Sequence, residues 1–189
     1  MEILGGSAKG MILKAPAGRE VRPTSVRSRR ALFDMLGNLS GRSFCDLFAG
    51  SGAIGIEAAS RGASHVVFVE KSPQALASVR ENVRHAEKLC ADTSFQILSG
   101  ILPGCCPRLT SAAPAPDLIF ADPPYAESAE LLDGILRNCD FEKWASRACL
   151  IWELPDHRTQ LKIFPENWAL KKIRELGSSR FLMMERRQK

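Results

Sequence analysis

The stretch "DLFAGSGAIG", residues 46 to 55, decides the reading of this chain. Gly50, Gly52 and Gly55 stand in the spacing GxGxxG. The apolar run "SFCDLF" (43 to 48) before them reads as a strand, and "AIGIEAASRG" (53 to 62) after them as a helix with Gly62 as its stop. In that setting the glycines let the backbone turn tightly, approach a ligand and pack helix against strand, while the helix N-terminus offers unpaired N–H groups. Eighteen residues beyond Gly52, Glu70 ends the next strand-like run, "HVVFVE" (65 to 70). A carboxylate there accepts hydrogen bonds from two ribose hydroxyls, so the pattern predicts a nucleoside crevice at the carboxyl edge of a sheet. Asp46, four residues before Gly50, bears on which nucleoside. It would repel a pyrophosphate but suits an ammonium or sulfonium cation; its plainer role is to hydrogen-bond loop amides.

Further along, "FQIL" (95 to 98), "DLIFA" (117 to 121) and "ACLIWEL" (148 to 154) read as strands buried on both faces. Helices are expected over "SPQALASVRENVRHAEKL" (72 to 89), with Ser72 as N-cap and Pro73 in the first turn, and over "ESAELLDGILRNC" (127 to 139). Strand and helix alternate, which defines an α/β fold. Near the C-terminus "WALKKIRELGSSRFLMMER" predicts an antiparallel hairpin about "LGSS", completing a seven-stranded, mostly parallel sheet with helices on both faces. At the other end "EILGG" and "GMILKAP" suggest a short hairpin. "RPTSVRSRRALFDMLG" follows as a loop and a helix that Thr24 or Ser25 caps and Gly37 ends. Residues 1–40 therefore form an extension and 41–189 the main domain, with "SAAPAP" (111 to 116) as a loop.

The 189 residues, 45% hydrophobic and 25% charged, suit one domain with a full core. No stretch reads as a signal peptide or a membrane span, so a cytosolic protein is expected. Cys45, Cys90, Cys105, Cys106, Cys139 and Cys149 lack CxxC spacing, and His65, His85 and His157 are scattered, so no metal site is expected and the thiols read as reduced. The net charge of +5 is uneven. Residues 1–42 carry eight Lys or Arg against three acids, 43–170 eleven against sixteen, and 171–189 seven against two. Arginines interleaved with structure-forming residues in the first segment favour a folded basic surface facing phosphate backbone.

A second motif ends the run "DLIFADPPYAE" (117 to 127): Asp122, Pro123, Pro124 and Tyr125, the only tyrosine. Ligands of open α/β sheets bind beyond the carboxyl ends of strands, so this tetrad is expected at the crevice. Prolines fix φ and lack an N–H, giving a stiff turn that accepts hydrogen bonds without donating them. A carboxylate with an ordinary pKa of about 3.9, a Pro123 carbonyl and an aromatic ring together match a planar base bearing an exocyclic NH₂. Tyr125 stacking would contribute about 1–3 kcal/mol. A duplex would block such a pocket, so the base must be flipped out or unpaired.

With both motifs in hand the chain resembles the class I S-adenosylmethionine-dependent methyltransferases (a Rossmann-like fold), and within them the RsmD family. The resemblance runs through "ILGGSAKGMIL", "RPTSVRSRRALFDML", "DLFAGSGAIGIEAASRGA", "VVFVE", "DLIFADPPY" and "GSSRFLMMER". It implies methyl transfer from S-adenosyl-L-methionine to the exocyclic N2 of a guanine in 16S rRNA, in a partly assembled small subunit, by a monomer. It places Asp46, Phe48, Ala49, Gly50, Ser51 and Gly52 at the methionine end of the cofactor, Glu70 and Lys71 at the ribose, and Asp122 to Tyr125 at the guanine. Lys9, Arg22, Pro23, Thr24, Arg27, Arg29, Arg30 and Arg180 would line the RNA-facing rim, with residues 1–40 as RNA-binding extension and cofactor lid. The family commonly has an acid or amide against the adenine where this chain reads "LSGILPG". A backbone amide near Gly100 or Ile101 is expected instead.

Three alternatives remain at this level. An adenine-N6 methyltransferase on RNA or DNA would use the same acceptor turn. A nicotinamide oxidoreductase would use GxGxxG and Glu70 but leaves Asp46 and DPPY unexplained. A non-catalytic RNA-binding module would explain only the charge.

Overall fold

Buried β-forming runs become strands where they were expected, with helices between them. A computed structural model of the protein describes residues 1–16, 26–154, 165–176 and 179–187. Arg22, Pro23, Thr24, the cap at Thr24 or Ser25 and the turn of the C-terminal hairpin lie outside them. The strands form one seven-stranded sheet in the order β3-β2-β1-β4-β5-β7-β6. The chain divides into two compact units, Met1–Ser99 and Gly100–Lys189, and residues 1–40 belong with the first.

In the first unit, α1 (Val26–Leu36), β1 (Ser43–Asp46), α2 (Ala53–Ser60), β2 (His65–Glu70), α3 (Pro73–Ala86) and β3 (Ser94–Ser99) follow in order. β1 pairs with β2 in parallel, Ser43 opposite His65 and Asp46 opposite Phe68. β2 pairs with β3 in parallel, from His65 opposite Ser94 to Glu70 opposite Ser99. Phe44, Cys45, Val66, Val67, Phe68 and Val69 are all buried, as parallel strands covered on both faces require. Ser72 caps α3, accepting the Ala75 N–H at 3.4 Å. The helix stops at Ala86, short of the expected residue 89. Its tail tightens instead into i→i+3 bonds from Lys88 to His85 and Leu89 to Ala86.

The N-terminal hairpin forms about the bridge pair Glu2 and Ile12, with the Leu13 N–H donating to the Met1 carbonyl at 2.7 Å, Ile3 to Met11 at 3.0 Å and Gly10 to Ile3 at 2.9 Å. Residues of its turn are held by α2. Leu4 donates its N–H to Glu57 Oε2 at 2.6 Å, Ala8 to Ser60 Oγ at 2.8 Å and Ser7 to the Ser60 carbonyl at 2.8 Å. Gly6, at φ 76°, sits so close that a Cβ would fall 1.7 Å from the Ser60 carbonyl oxygen.

In the second unit, α4 (Cys106–Ala112), β4 (Leu118–Ala121), a one-turn 3₁₀ helix (Tyr125–Glu127), α5 (Ser128–Leu136), α6 (Cys139–Trp144), β5 (Cys149–Leu154), β6 (Trp168–Leu176) and β7 (Ser179–Arg186) follow. β4 and β5 are parallel, Leu118 opposite Cys149. β7 runs antiparallel to both β5 and β6, so the C-terminal hairpin forms as expected, with a register shift between Leu170 and Lys172. The helix expected over 127–139 is instead three elements. The break falls at Asn138, whose Oδ1 accepts the N–H groups of Asp140 at 3.1 Å and Phe141 at 3.0 Å and so begins α6. α4 also takes up Ser111 and Ala112 from the expected loop. Trp152 Nε1 donates to Ser128 Oγ at 2.9 Å, fixing the start of α5 against β5. Among the described residues no helix is long and apolar enough to cross a membrane.

Candidate active site

The loop from β1 to α2 is built around two buried carboxylates. Gly50 and Gly52 have φ of 56° and 80°, values that residues bearing a Cβ rarely adopt. The Gly52 N–H donates to the Ala49 carbonyl at 2.6 Å and the Ala49 N–H to Val69 at 3.1 Å, which ties the loop to the end of β2. Gly55 is required for packing: a Cβ there would lie 2.2 Å from Phe68 Cε1. Beyond Gly50 the space is open, and a Cβ built on it meets nothing within 4 Å.

Glu70 closes β2 with its carboxylate turned onto backbone donors. Oε2 accepts the Gly50 N–H at 2.8 Å, and Oε1 accepts the N–H groups of Lys71 and Ser72, each at 2.8 Å. Asp46 is 2% exposed, and its Oδ2 accepts the Gly55 N–H at 3.2 Å. That is the loop-amide role, performed by a buried carboxyl group. Phe48 is half-buried, Ala49 and Ser51 are buried, and Lys71 is exposed. A pyrophosphate site of this type needs loop N–H groups free for oxyanions. Here the Gly50 and Gly55 N–H groups are given to carboxylates, so the loop suits a cationic ligand. The space over Gly50 is open, and the nearby Asp46 and Glu70 carboxyl groups accept hydrogen bonds from the loop's N–H groups.

In the second unit the DPPY turn follows a strand whose four residues are all buried. The peptide bonds into Pro123 and Pro124 are trans; the cis bond among the described residues is Leu102–Pro103. Asp122 is half-buried, Pro123 buried and Pro124 exposed. The Pro124 carbonyl accepts the Glu127 N–H at 3.0 Å, which closes the 3₁₀ turn and presents Tyr125, 50% exposed. Gly100 must be glycine because a Cβ would lie 2.6 Å from that of Cys105, and Ile101 beside it is 67% exposed.

Of the basic residues expected on a rim, Lys9, Arg27 and Arg30 are exposed. Arg27 and Arg30 flank an open concavity of about 420 Å³ with Val26, Ala31 and Asp34. Arg180 is half-buried opposite Leu154. Arg29 departs from expectation: it is 1% exposed, and its three guanidinium nitrogens have no hydrogen-bond partner among the described residues. Burial pushes its pKa below the ordinary arginine value, against the opposing pull of Glu57 and Glu2. A group so enclosed does not present itself to RNA. Arg29, Leu32 and Phe33 share the buried face of α1, so the charge sits on the apolar stripe.

Two residues escaped the sequence reading. Glu57, with a fully buried side chain, accepts Leu4 N–H and Arg61 Nε at 2.8 Å, and the Arg61 guanidinium lies 5.0 Å from the centre of the Phe33 ring. Asn82, 1% exposed, binds Lys14 and Ser51. The available signal was a polar side chain on an apolar helical stripe, next to Val79 and Val83. Among the described residues no group of three or more His, Cys, Asp or Glu side chains is placed to hold a metal ion.

The sheet order, with its antiparallel β7 inserted between β5 and β6, and the glycine loop after β1 define the class I methyltransferase architecture. The family model described as "Conserved hypothetical protein 95" matches residues 1–185, and the chain belongs to this family, the RsmD family of methyltransferases. It is 27% identical over 187 residues to the Ribosomal RNA small subunit methyltransferase D of Escherichia coli K12, covering 98% of this chain and 90% of that one. YlbH of Bacillus subtilis is 43% identical over 88 residues, about half of either chain at 46% and 48%. Among solved structures, the hypothetical protein TTHA0928 of Thermus thermophilus superposes with a TM-score of 0.75 at 30% identity, covering 98% of this chain and 99% of that one.

Proposed function

We propose that this protein methylates the exocyclic N2 of a guanine in 16S rRNA, with S-adenosyl-L-methionine as donor. The observation that carries the reading is the DPPY turn: a carboxylate and an exposed tyrosine fixed by two trans prolines at the carboxyl end of a buried strand. The name of the Escherichia coli relative supports small-subunit rRNA as the substrate. The donor reading is supported by the buried Asp46 and by Glu70, which occupy loop N–H groups that a phosphate would need. Bound there, S-adenosylmethionine supplies an electrophilic methyl on sulfur.

The chain's own part is to hold and orient. Asp46, Phe48, Ala49, Gly50, Ser51 and Gly52 surround the methionine end, Glu70 and Lys71 border the ribose, and Gly100 or Ile101 offers a backbone amide to the adenine. Asp122 and the Pro123 carbonyl each accept one hydrogen of the guanine amine, and Tyr125 stacks on the ring. Held in this way, the amine would present its nitrogen lone pair for methyl transfer, and the same acceptors would stabilise positive charge developing on that nitrogen. The amine proton then leaves toward Asp122 or solvent. Lys9, Arg27, Arg30 and Arg180, with Arg22 and Thr24, bind phosphates, residues 1–40 serve as the RNA-binding extension and cofactor lid, and the protein acts as a cytoplasmic monomer on a partly assembled subunit.

The test is incubation with tritiated S-adenosylmethionine and either unmodified small-subunit rRNA or subunits lacking the methylation, followed by nucleoside analysis. N2-methylguanosine is expected, and Asp122→Ala should abolish it while leaving donor binding nearly intact. Label in N6-methyladenosine would replace guanine by adenine; no label in either substrate would overturn the reading.

A further inference from the structure

The amide of Asn82 joins two segments that are far apart in sequence. Its Oδ1 accepts the Lys14 N–H at 2.8 Å, and its Nδ2 donates to the Lys14 carbonyl at 3.0 Å and to the Ser51 carbonyl at 2.8 Å. Ser51 lies between the two left-handed glycines of the β1–α2 loop. Lys14 lies eight residues before Arg22, on the amino side of the basic stretch. One side chain on α3 thus clamps both backbone groups of the N-terminal segment and one carbonyl of the glycine loop.

The chemistry is specific to an amide. Only a group with one acceptor and two donors at that spacing satisfies an N–H and two carbonyls at once. Asn82 and its bond to the Ser51 carbonyl are buried and those to Lys14 part-buried, so a buried amide group left unpaired by a shift costs about 1–3 kcal/mol. A shift of the loop at Ser51 therefore strains the hold on Lys14, and a pull on Lys14 strains the loop.

Resting on the methyltransferase reading, we propose that Asn82 is a positioning residue that couples donor binding at the glycine loop to RNA binding on the N-terminal segment. Ordering Ser51 around the donor fixes Lys14, so RNA meets a segment already in place. Linkage makes the effect reciprocal: RNA tightens donor binding by the factor with which the donor tightens RNA binding. The nearby Lys14–Glu81 ion pair, 2.6 Å long but exposed on both sides, touches the N-terminal segment without touching the loop, and so lies outside the coupling.

The experiment measures the dissociation constant of S-adenosylmethionine by calorimetry with and without saturating unmodified small-subunit rRNA. It compares wild type, Asn82→Asp and Glu81→Gln. The substituted aspartate keeps the shape and can still accept the Lys14 N–H, but sets a carboxylate oxygen against two carbonyls. Expected is a ratio of about fivefold or more in wild type and Glu81→Gln, at the low end of ordinary couplings, falling to near one in Asn82→Asp. A merely structural role would weaken donor binding alike with and without RNA and leave the ratio unchanged; that result overturns the proposal, as does a wild-type ratio of one. Should Asn82→Asp fail to fold, amide hydrogen exchange in wild type decides. Donor must slow the Lys14 amide together with those of Gly50 and Gly52, and slowing confined to the loop overturns the coupling. Absence of any donor binding to wild type overturns the methyltransferase reading itself, and the coupling with it.

Discussion

Glu70 Oε2 accepts the N–H of Gly50 at 2.8 Å, so the residue expected at the ribose also holds the glycine loop in shape. On the proposed reading, one side chain would serve both the ligand and the loop that receives it.

Replacing Glu70 should accordingly cost more than one ribose contact. Hydrogen bonds to a charged group contribute about 1.5–3 kcal/mol each, so Glu70→Ala is expected to weaken S-adenosylmethionine binding by roughly 10- to 100-fold. Glu70→Gln should fall between, since its amide keeps one acceptor but turns a donor toward backbone N–H groups. Calorimetric titration checks both, and unchanged affinity in Glu70→Ala would remove the residue from the site.

Gly55→Ala tests the packing of α2 on β2. The added Cβ would lie 2.2 Å from Phe68 Cε1, inside a buried contact. Overpacking of this kind costs about 1–3 kcal/mol, against a gain of at most about 1 kcal/mol in helix propensity. Denaturant melting should show a lower midpoint at unchanged slope.

The arginines of α1 should separate into two behaviours. Arg27→Ala and Arg30→Ala, at exposed positions, are expected to lower RNA affinity and to reduce the salt dependence by about one phosphate contact each. Arg29→Met should leave RNA affinity unchanged and alter stability by between nothing and a gain of about 1–4 kcal/mol, because it removes a buried guanidinium without stripping Glu57 of its Arg61 and Leu4 partners. Filter binding across a salt series, with thermal melts, distinguishes them; loss of RNA binding in Arg29→Met would restore it to the rim.

The thiols offer a check on the second unit. Burial pushes the Cys106 pKa up to about 12, with Cys105 and Asp140 adding to the effect, and burial raises Cys105 as well. Cys139 is exposed. Thiolate is the reactive form, so at pH 8 iodoacetamide should label Cys139 first and Cys106 only after unfolding. Rapid native labelling of Cys106, read by peptide mass spectrometry, would contradict its buried placement.

What is legible in the sequence follows from what local pattern records. Strands buried on both faces must be continuously apolar, so β1, β2, β4 and β5 stand out, and the glycine loop announces itself by its place between strand and helix. The short α4 and α6 do not, because six or seven residues give too little periodicity, and α6 depends on one cap at Asn138. The N-terminal hairpin is written in its local pattern, but its docking on α2 is not, because Glu57 and Ser60 lie more than fifty residues away. Charge alone points Arg29 toward RNA, whereas its spacing from Leu32 and Phe33 places it on the inner face of α1. The same spacing argument, applied to α3, singles out Asn82.

The docking of residues 1–14 also sets an order of assembly. Their partners lie 52 residues ahead at Ser60 and 68 ahead at Asn82. A chain synthesised from its amino end makes this segment before anything exists to receive it. It can close its own hairpin early, but its contacts with Ser60 and Asn82 cannot form until α2 and α3 have left the exit tunnel.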